Sequence, residues 1–219
     1  MQFQWIVYSL EEAEAEFVGG THSAGLGEMT MQRNQRRPLR MSEDQFLAWA
    51  ENQEGRYELL RGEVLMQAGA TRDHERVAKR TFALLYSQAD EKVYDVNKGD
   101  FGVRIRPGSG KGTILYPDVL VDRQSTAGDE QSTTQPIVVI EVLSRSTDYE
   151  HHVQKLAHYK KRDSLCQYVV FDQKEPRAFV WTKDANRWPE RPEKIEGADG
   201  VVALPSIAAR LHLAEIYRS

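Results

Sequence analysis

The strongest constraint in this chain is the run Ile137-Val138-Val139-Ile140-Glu141-Val142-Leu143, a core-like strand in which one acid follows four aliphatic residues. Period-two alternation puts Ile137, Val139, Glu141 and Leu143 on one face. A second strand-like run, Ile114 to Val121, carries an acid in the same way, with Asp118 on the face assigned to Ile114, Tyr116 and Leu120. An ionised carboxylate removed from water without a partner pays a heavy desolvation penalty or takes up a proton. Two such acids on strands need a shared reason, and a bound divalent cation supplies one. Mg²⁺ takes a pair of carboxylates and keeps several waters, with the carbonyl of Val142 as a further oxygen; Mn²⁺ is the expected substitute. Taken singly, each acid reads more simply as a strand-end residue facing solvent. The pair is what points to metal chemistry.

The surrounding pattern supplies an architecture. Ser42-Glu43-Asp44-Gln45 is a capping box, and Phe46, Leu47 and Ala50 then share one helical face up to Gly55. Tyr57 to Leu60 and Glu63 to Met66, separated by Arg61-Gly62, predict a hairpin. Asp73 is the expected cap of a helix from His74 to Gln88, lined by Val77, Thr81, Leu84 and Leu85. Strands are expected at Val93 to Asn97, Val103 to Arg106, Tyr168 to Phe171 and Ala178 to Trp181. Thr147-Asp148-Tyr149-Glu150 is a second capping box, opening a helix to Arg162 whose apolar side carries Val153, Leu156 and Ala157. The order predicts an α/β (α+β mixed) domain: a mixed sheet with helices packed on it, an N-terminal hairpin and no internal repeat.

Charge and composition bound the function only loosely. Residues 1 to 28 hold five acids and no Lys or Arg, which accounts for more than the whole net charge of -4 and leaves the remainder close to neutral. Total charge therefore neither indicates nor excludes nucleic acid. The glycine-rich stretch from Gly19 to Glu28 reads as a flexible join. Residues 1–40 are expected to form a flexible N-terminal extension and residues 41–219 the domain, with Met29 and Met31 marking an alternative start. Cys166, the single cysteine, makes no internal disulfide, so a reducing cytoplasmic setting is expected. No secretion signal and no membrane span are expected.

Taken together, YPDVLV, IEVLSRST, a helix containing Lys155 and Tyr159, and CQYVVFDQ resemble the Uma-two family of restriction-endonuclease-like proteins, a branch of the PD-(D/E)XK nucleases. The likeness extends from Tyr57 to Tyr217 and takes in YELLRGEV, His74, EPRAFVW and LPSIAARLHLAEIY. The resemblance implies a restriction-endonuclease-like fold and a divalent-metal-dependent endonuclease hydrolysing DNA phosphodiester bonds. It makes Asp118 the first acid and Glu141 the second. The lysine expected two residues after the second acid is replaced by Leu143, and Lys155 matches the family's migrated lysine. Glu63 and His74 match supporting positions. The chain departs from the family pattern at Ser144-Arg145-Ser146-Thr147 and at His151, where a turn differs and a polar partner changes.

Spacing alone reads Lys155 differently. Asp148, His152, Lys155 and Tyr159 form a stripe opposite Val153, Leu156 and Ala157, so Lys155 is expected on a solvated face, reaching the site only if that stripe borders a cleft. Arg72, Arg76, Lys79 and Arg80 on one helix, and Arg104, Arg106 and Lys111 ahead of Asp118, are candidates for phosphate contacts, against the simpler reading of scattered surface charge. Gly108 to Thr113 imitates a phosphate loop, but Ile105 stands where Gly is required. No pair among His151, His152 and His158 has the four-residue spacing that chelates zinc from one helix. The alternatives are a catalytically inactive nucleic-acid-binding or protein-interaction module with the same fold, and an RNA-directed nuclease. Cutting both strands of DNA needs two sites, which a homodimer would supply.

Overall fold

The computed structural model describes residues 38–105, 112–143 and 149–218. Arg106, Lys111, the Gly108 to Lys111 stretch, Ser144-Arg145-Ser146-Thr147, Asp148 and residues 1–37 lie outside them. The described residues open with α1 (Glu43–Ala50), whose Ser42 and Gln45 form the expected reciprocal cap. The hairpin β1 (Tyr57–Leu60) and β2 (Glu63–Met66) follows. Its turn needs positive φ at both Arg61 and Gly62, and their amides are held by Thr113 Oγ1 and the Gly112 carbonyl. Helix α2 (Arg72–Gln88) comes next, capped by Thr71 rather than by Asp73, because the Thr71 hydroxyl is the group that accepts from the His74 amide.

The expected sheet is divided in two. One sheet has the order β2-β1-β5-β4-β7, with β4 (Gly102–Arg104), β5 (Ile114–Leu115) and β7 (Ser132–Thr133). The other has six strands in the order β11-β10-β9-β8-β6-β3. These are β3 (Tyr94–Lys98), β6 (Val119–Arg123), β8 (Pro136–Val142), β9 (Gln167–Phe171), β10 (Arg177–Thr182) and β11 (Glu193–Glu196). It is mixed as expected, since β8 and β9 run parallel and its other pairs antiparallel. Helix α3 (Tyr149–Tyr159) is the crossover a parallel pair requires.

The single strand expected from Ile114 to Val121 is broken at Tyr116-Pro117-Asp118, where the chain leaves one sheet and enters the other. Pro117 has no amide to give to a ladder, and the amide of Tyr116 goes to the Glu58 carboxylate instead of to a strand. The six-stranded sheet is covered on both faces. Val119, Val121, Val138, Ile140, Val142, Val169 and Phe171 form one core with Val77 and Leu85 of α2, the hairpin β12 (Val201–Leu204) and β13 (Ala209–His212), and α4 (Leu213–Ile216). Leu120, Val139, Tyr168, Val170 and Trp181 form a second core with Leu156 and Tyr159 of α3. Ile137 leaves its expected face because the register with β6 slips between Val121 and Asp122, and it packs in the first core.

Candidate active site

Asp118 immediately precedes the pair Val119↔Ile140, so it stands across from Glu141 on the neighbouring strand. Both acids follow the alternation of Leu120 and Val139, toward the face that α3 covers. Oδ2 of Asp118 accepts the Val142 amide at 2.8 Å and lies 3.2 Å from Nε2 of His74 on the first turn of α2. Burial alone would raise the Asp118 pKa; His74, the Val142 amide and Lys155 reverse this and hold it below the usual carboxylate range. Burial alone would lower that of His74, but the Asp118 carboxylate, with Glu75 and Glu141, lifts it above its ordinary value.

Helix α3 sits the other way round from the spacing argument. Val153 is 39% exposed and Ala157 is exposed, whereas His152, Lys155, Leu156 and Tyr159 are buried. The lysine stripe therefore faces the sheet. Nζ of Lys155 donates to Oε1 of Glu58 at 2.9 Å and to Oε1 of Glu141 at 3.2 Å, and the Tyr159 hydroxyl donates to the same Glu141 oxygen at 3.4 Å. Burial alone would lower the Lys155 pKa, yet Glu141 and Glu58 raise it, so it stays protonated. Glu141 is pushed up to about 8, by burial first and then by the charges of Asp118 and Glu58, against the pull of Lys155. His152 is buried beside Lys155, its ring nitrogens have no hydrogen-bond partner among the described residues, and burial with the charges of Lys155 and His151 presses its pKa down to about 3.

Asp118, Glu141, Lys155 and His74 are thus brought together. Glu63 is not: it pairs with Arg40 at the edge of the other sheet. The hairpin acid that reaches the cluster is Glu58, 2% exposed and also the acceptor for the Tyr116 amide at 3.1 Å. Sequence reasoning missed it, although the argument applied to Glu141, an acid set among apolar strand residues, holds for YELL as well. Of the basic candidates, Arg76 pairs with Asp73, Arg104 pairs with Asp44, and Lys79 is exposed on α2.

Among the described residues, no group of three or more His, Cys, Asp or Glu is arranged to hold a metal by itself. The donor set fits a hard divalent cation that takes two carboxylates and fills its remaining positions with water or phosphate oxygens. The hydrogen bonds above engage Oδ2 of Asp118 and Oε1 of Glu141.

A family model described as "Putative restriction endonuclease" matches residues 43–213. The chain belongs to the Uma2 family. Two uncharacterized proteins of Synechocystis sp. (strain ATCC 27184 / PCC 6803 / Kazusa) are similar to this Uma2 protein: sll1609, 28% identical over 53% of this chain and 66% of its own length, and slr1290, 26% identical over 60% and 68%. The chain thus spans about two thirds of the relatives it matches. The crystal structure of a "putative nuclease belonging to DUF820" from Anabaena variabilis ATCC 29413 superposes with a TM-score of 0.63 at 15% identity, covering 81% of this chain and 97% of that one, and shows the fold to be shared. Membership of Uma2 supports a nuclease-like hydrolase function. No helix among the described residues is long and apolar enough to cross a membrane.

Proposed function

We propose that this Uma2 protein is a cytoplasmic, divalent-metal-dependent endonuclease that hydrolyses phosphodiester bonds of DNA. Asp118 and Glu141, with the Val142 carbonyl, would hold Mg²⁺ or Mn²⁺, and such an ion would supply Lewis-acid stabilisation of the phosphate and a lowered pKa for a bound water. His74 orients Asp118 through its contact with Oδ2. Lys155 presents a permanent positive charge to the phosphate as negative charge builds on it, and Tyr159 steadies Glu141 through its hydroxyl. Arg76, Lys79, Arg104 and Arg106 contact backbone phosphates. Residues 1–40 are an extension outside this machinery, and two copies of the domain serve the two strands.

The observation that supports this reading most is the meeting of Asp118 and Glu141 from adjacent strands with Lys155 between Glu141 and Glu58. The test is cleavage of labelled DNA and RNA, single- and double-stranded, with Mg²⁺ or Mn²⁺. Asp118→Ala and Glu141→Ala are each expected to lose at least about 10³-fold in cleavage while still folding, as removal of a member of an interdependent catalytic set does. Equal cleavage by wild type and both variants would leave a binding module, and preferential cleavage of RNA would reassign the substrate.

A further inference from the structure

Glu58 is a buried acid that the proposed chemistry does not use, and it makes the shortest contact with the lysine that the chemistry needs. It lies on β1, in the sheet that does not carry Asp118 or Glu141, and reaches across to the cluster from there. Its Oε1 accepts Lys155 Nζ at 2.9 Å, against 3.2 Å for Glu141, and the Tyr116 amide at 3.1 Å. One carboxylate oxygen thus fastens the helix that brings the lysine and the backbone two residues ahead of Asp118.

The burial of this carboxylate is otherwise unexplained. A carboxylate 2% exposed is costly to keep in a strand of four residues. An apolar residue there would serve packing as well, since a buried ion pair is weak evidence for stability. Its value lies in what it does for the lysine. An ammonium paired with Glu141 alone would compete with any cation that this acid holds. With Glu58 as a second acceptor, the ammonium keeps a counter-charge, its protonated state and its position while Glu141 turns its charge elsewhere.

We infer that Glu58 is a positioning residue of the site, registering Lys155 and the Tyr116-Pro117-Asp118 bend against Glu141. This rests on the nuclease reading above. A displacement of about 1 Å in a positioned group can cost about 10²-fold in rate, so Glu58→Gln is expected to lower kcat by about that factor with KM for DNA little changed. In a Lys155→Met background the same substitution is expected to cost almost nothing, because the Gln carbonyl still accepts the Tyr116 amide and the loss runs through the lysine.

The test combines that double-mutant cycle with a readout that does not need turnover. In protein labelled with ¹⁵N-lysine, the Lys155 ammonium is expected to give a solvent-protected signal that is lost or strongly shifted in Glu58→Gln. Should that variant fail to fold, Glu58→Asp carries the same measurement, since the shorter side chain draws the carboxylate off the ammonium. An unchanged ammonium signal, wild-type kcat in the folded variant, or losses that multiply across the cycle would each overturn the inference. Wild-type protein that cleaves no nucleic acid would sink the nuclease reading instead, and the ammonium signal would still decide the role of Glu58.

Discussion

The two faces of the six-stranded sheet are built to opposite ends. On the α2 side, Val119, Val121, Val138, Ile140, Val142, Val169 and Phe171 pack in one cluster of buried apolar side chains. Burial of that kind stabilises by about 1.5–3 kcal/mol per large side chain. On the α3 side, Leu120, Val139 and Val170 share their layer with Glu141, Lys155, His152 and Glu58, all nearly excluded from water. Charges buried there gain little net stability, because desolvation offsets their attraction. The difference teaches a division of labour in which one face holds the sheet together while the other uses that firmness to keep charges in a fixed arrangement. The strands serve both at once because their side chains alternate.

The comparison can be broken most forcefully at Lys155. Lys155→Met leaves Glu58 and Glu141 buried without the ammonium they share, and is expected to destabilise the fold by about 3–5 kcal/mol at neutral pH, measured by urea unfolding. On the other face, Ile140→Ala is expected to cost about 2–5 kcal/mol through a cavity, with cleavage by the molecules that remain folded unchanged. A Lys155→Met variant as stable as wild type would mean that the charged face is not held as a unit. Lost cleavage in folded Ile140→Ala would mean that the apolar face is part of the site.

The smallest effect concerns pH. Glu141 is lifted from 4.5 to about 8, so the folded state holds its proton more tightly than the unfolded chain does. Its contribution to stability is present below pH 4.5 and is lost as pH rises through about 8, with a slope of at most about 1.4 kcal/mol per pH unit. His74, also raised, acts in the same direction above its ordinary value of 6.5. Asp118, held low, matters only in the acid range, where its contribution disappears as pH falls through its depressed value. Glu141→Gln should therefore flatten the loss of stability between pH 4.5 and 8, as read by denaturant midpoints without added metal. An undiminished slope would show that Glu141 does not carry the linkage.

Much of this was legible along the chain because it depends on neighbours in sequence. The hairpin of Tyr57–Leu60 and Glu63–Met66, the Ser42–Gln45 cap and the strand faces that carry Asp118 and Glu141 all follow from turn chemistry, capping geometry and period-two alternation. The break at Pro117, the two separate sheets, the inward turn of Lys155 and the choice of Glu58 over Glu63 did not follow from local pattern. A stripe says which side chains share a face of a helix, not whether that face meets water. For α3 the deciding partner of Lys155 lies 97 residues away, and only folding brings that carboxylate near enough to offset the desolvation of a buried ammonium.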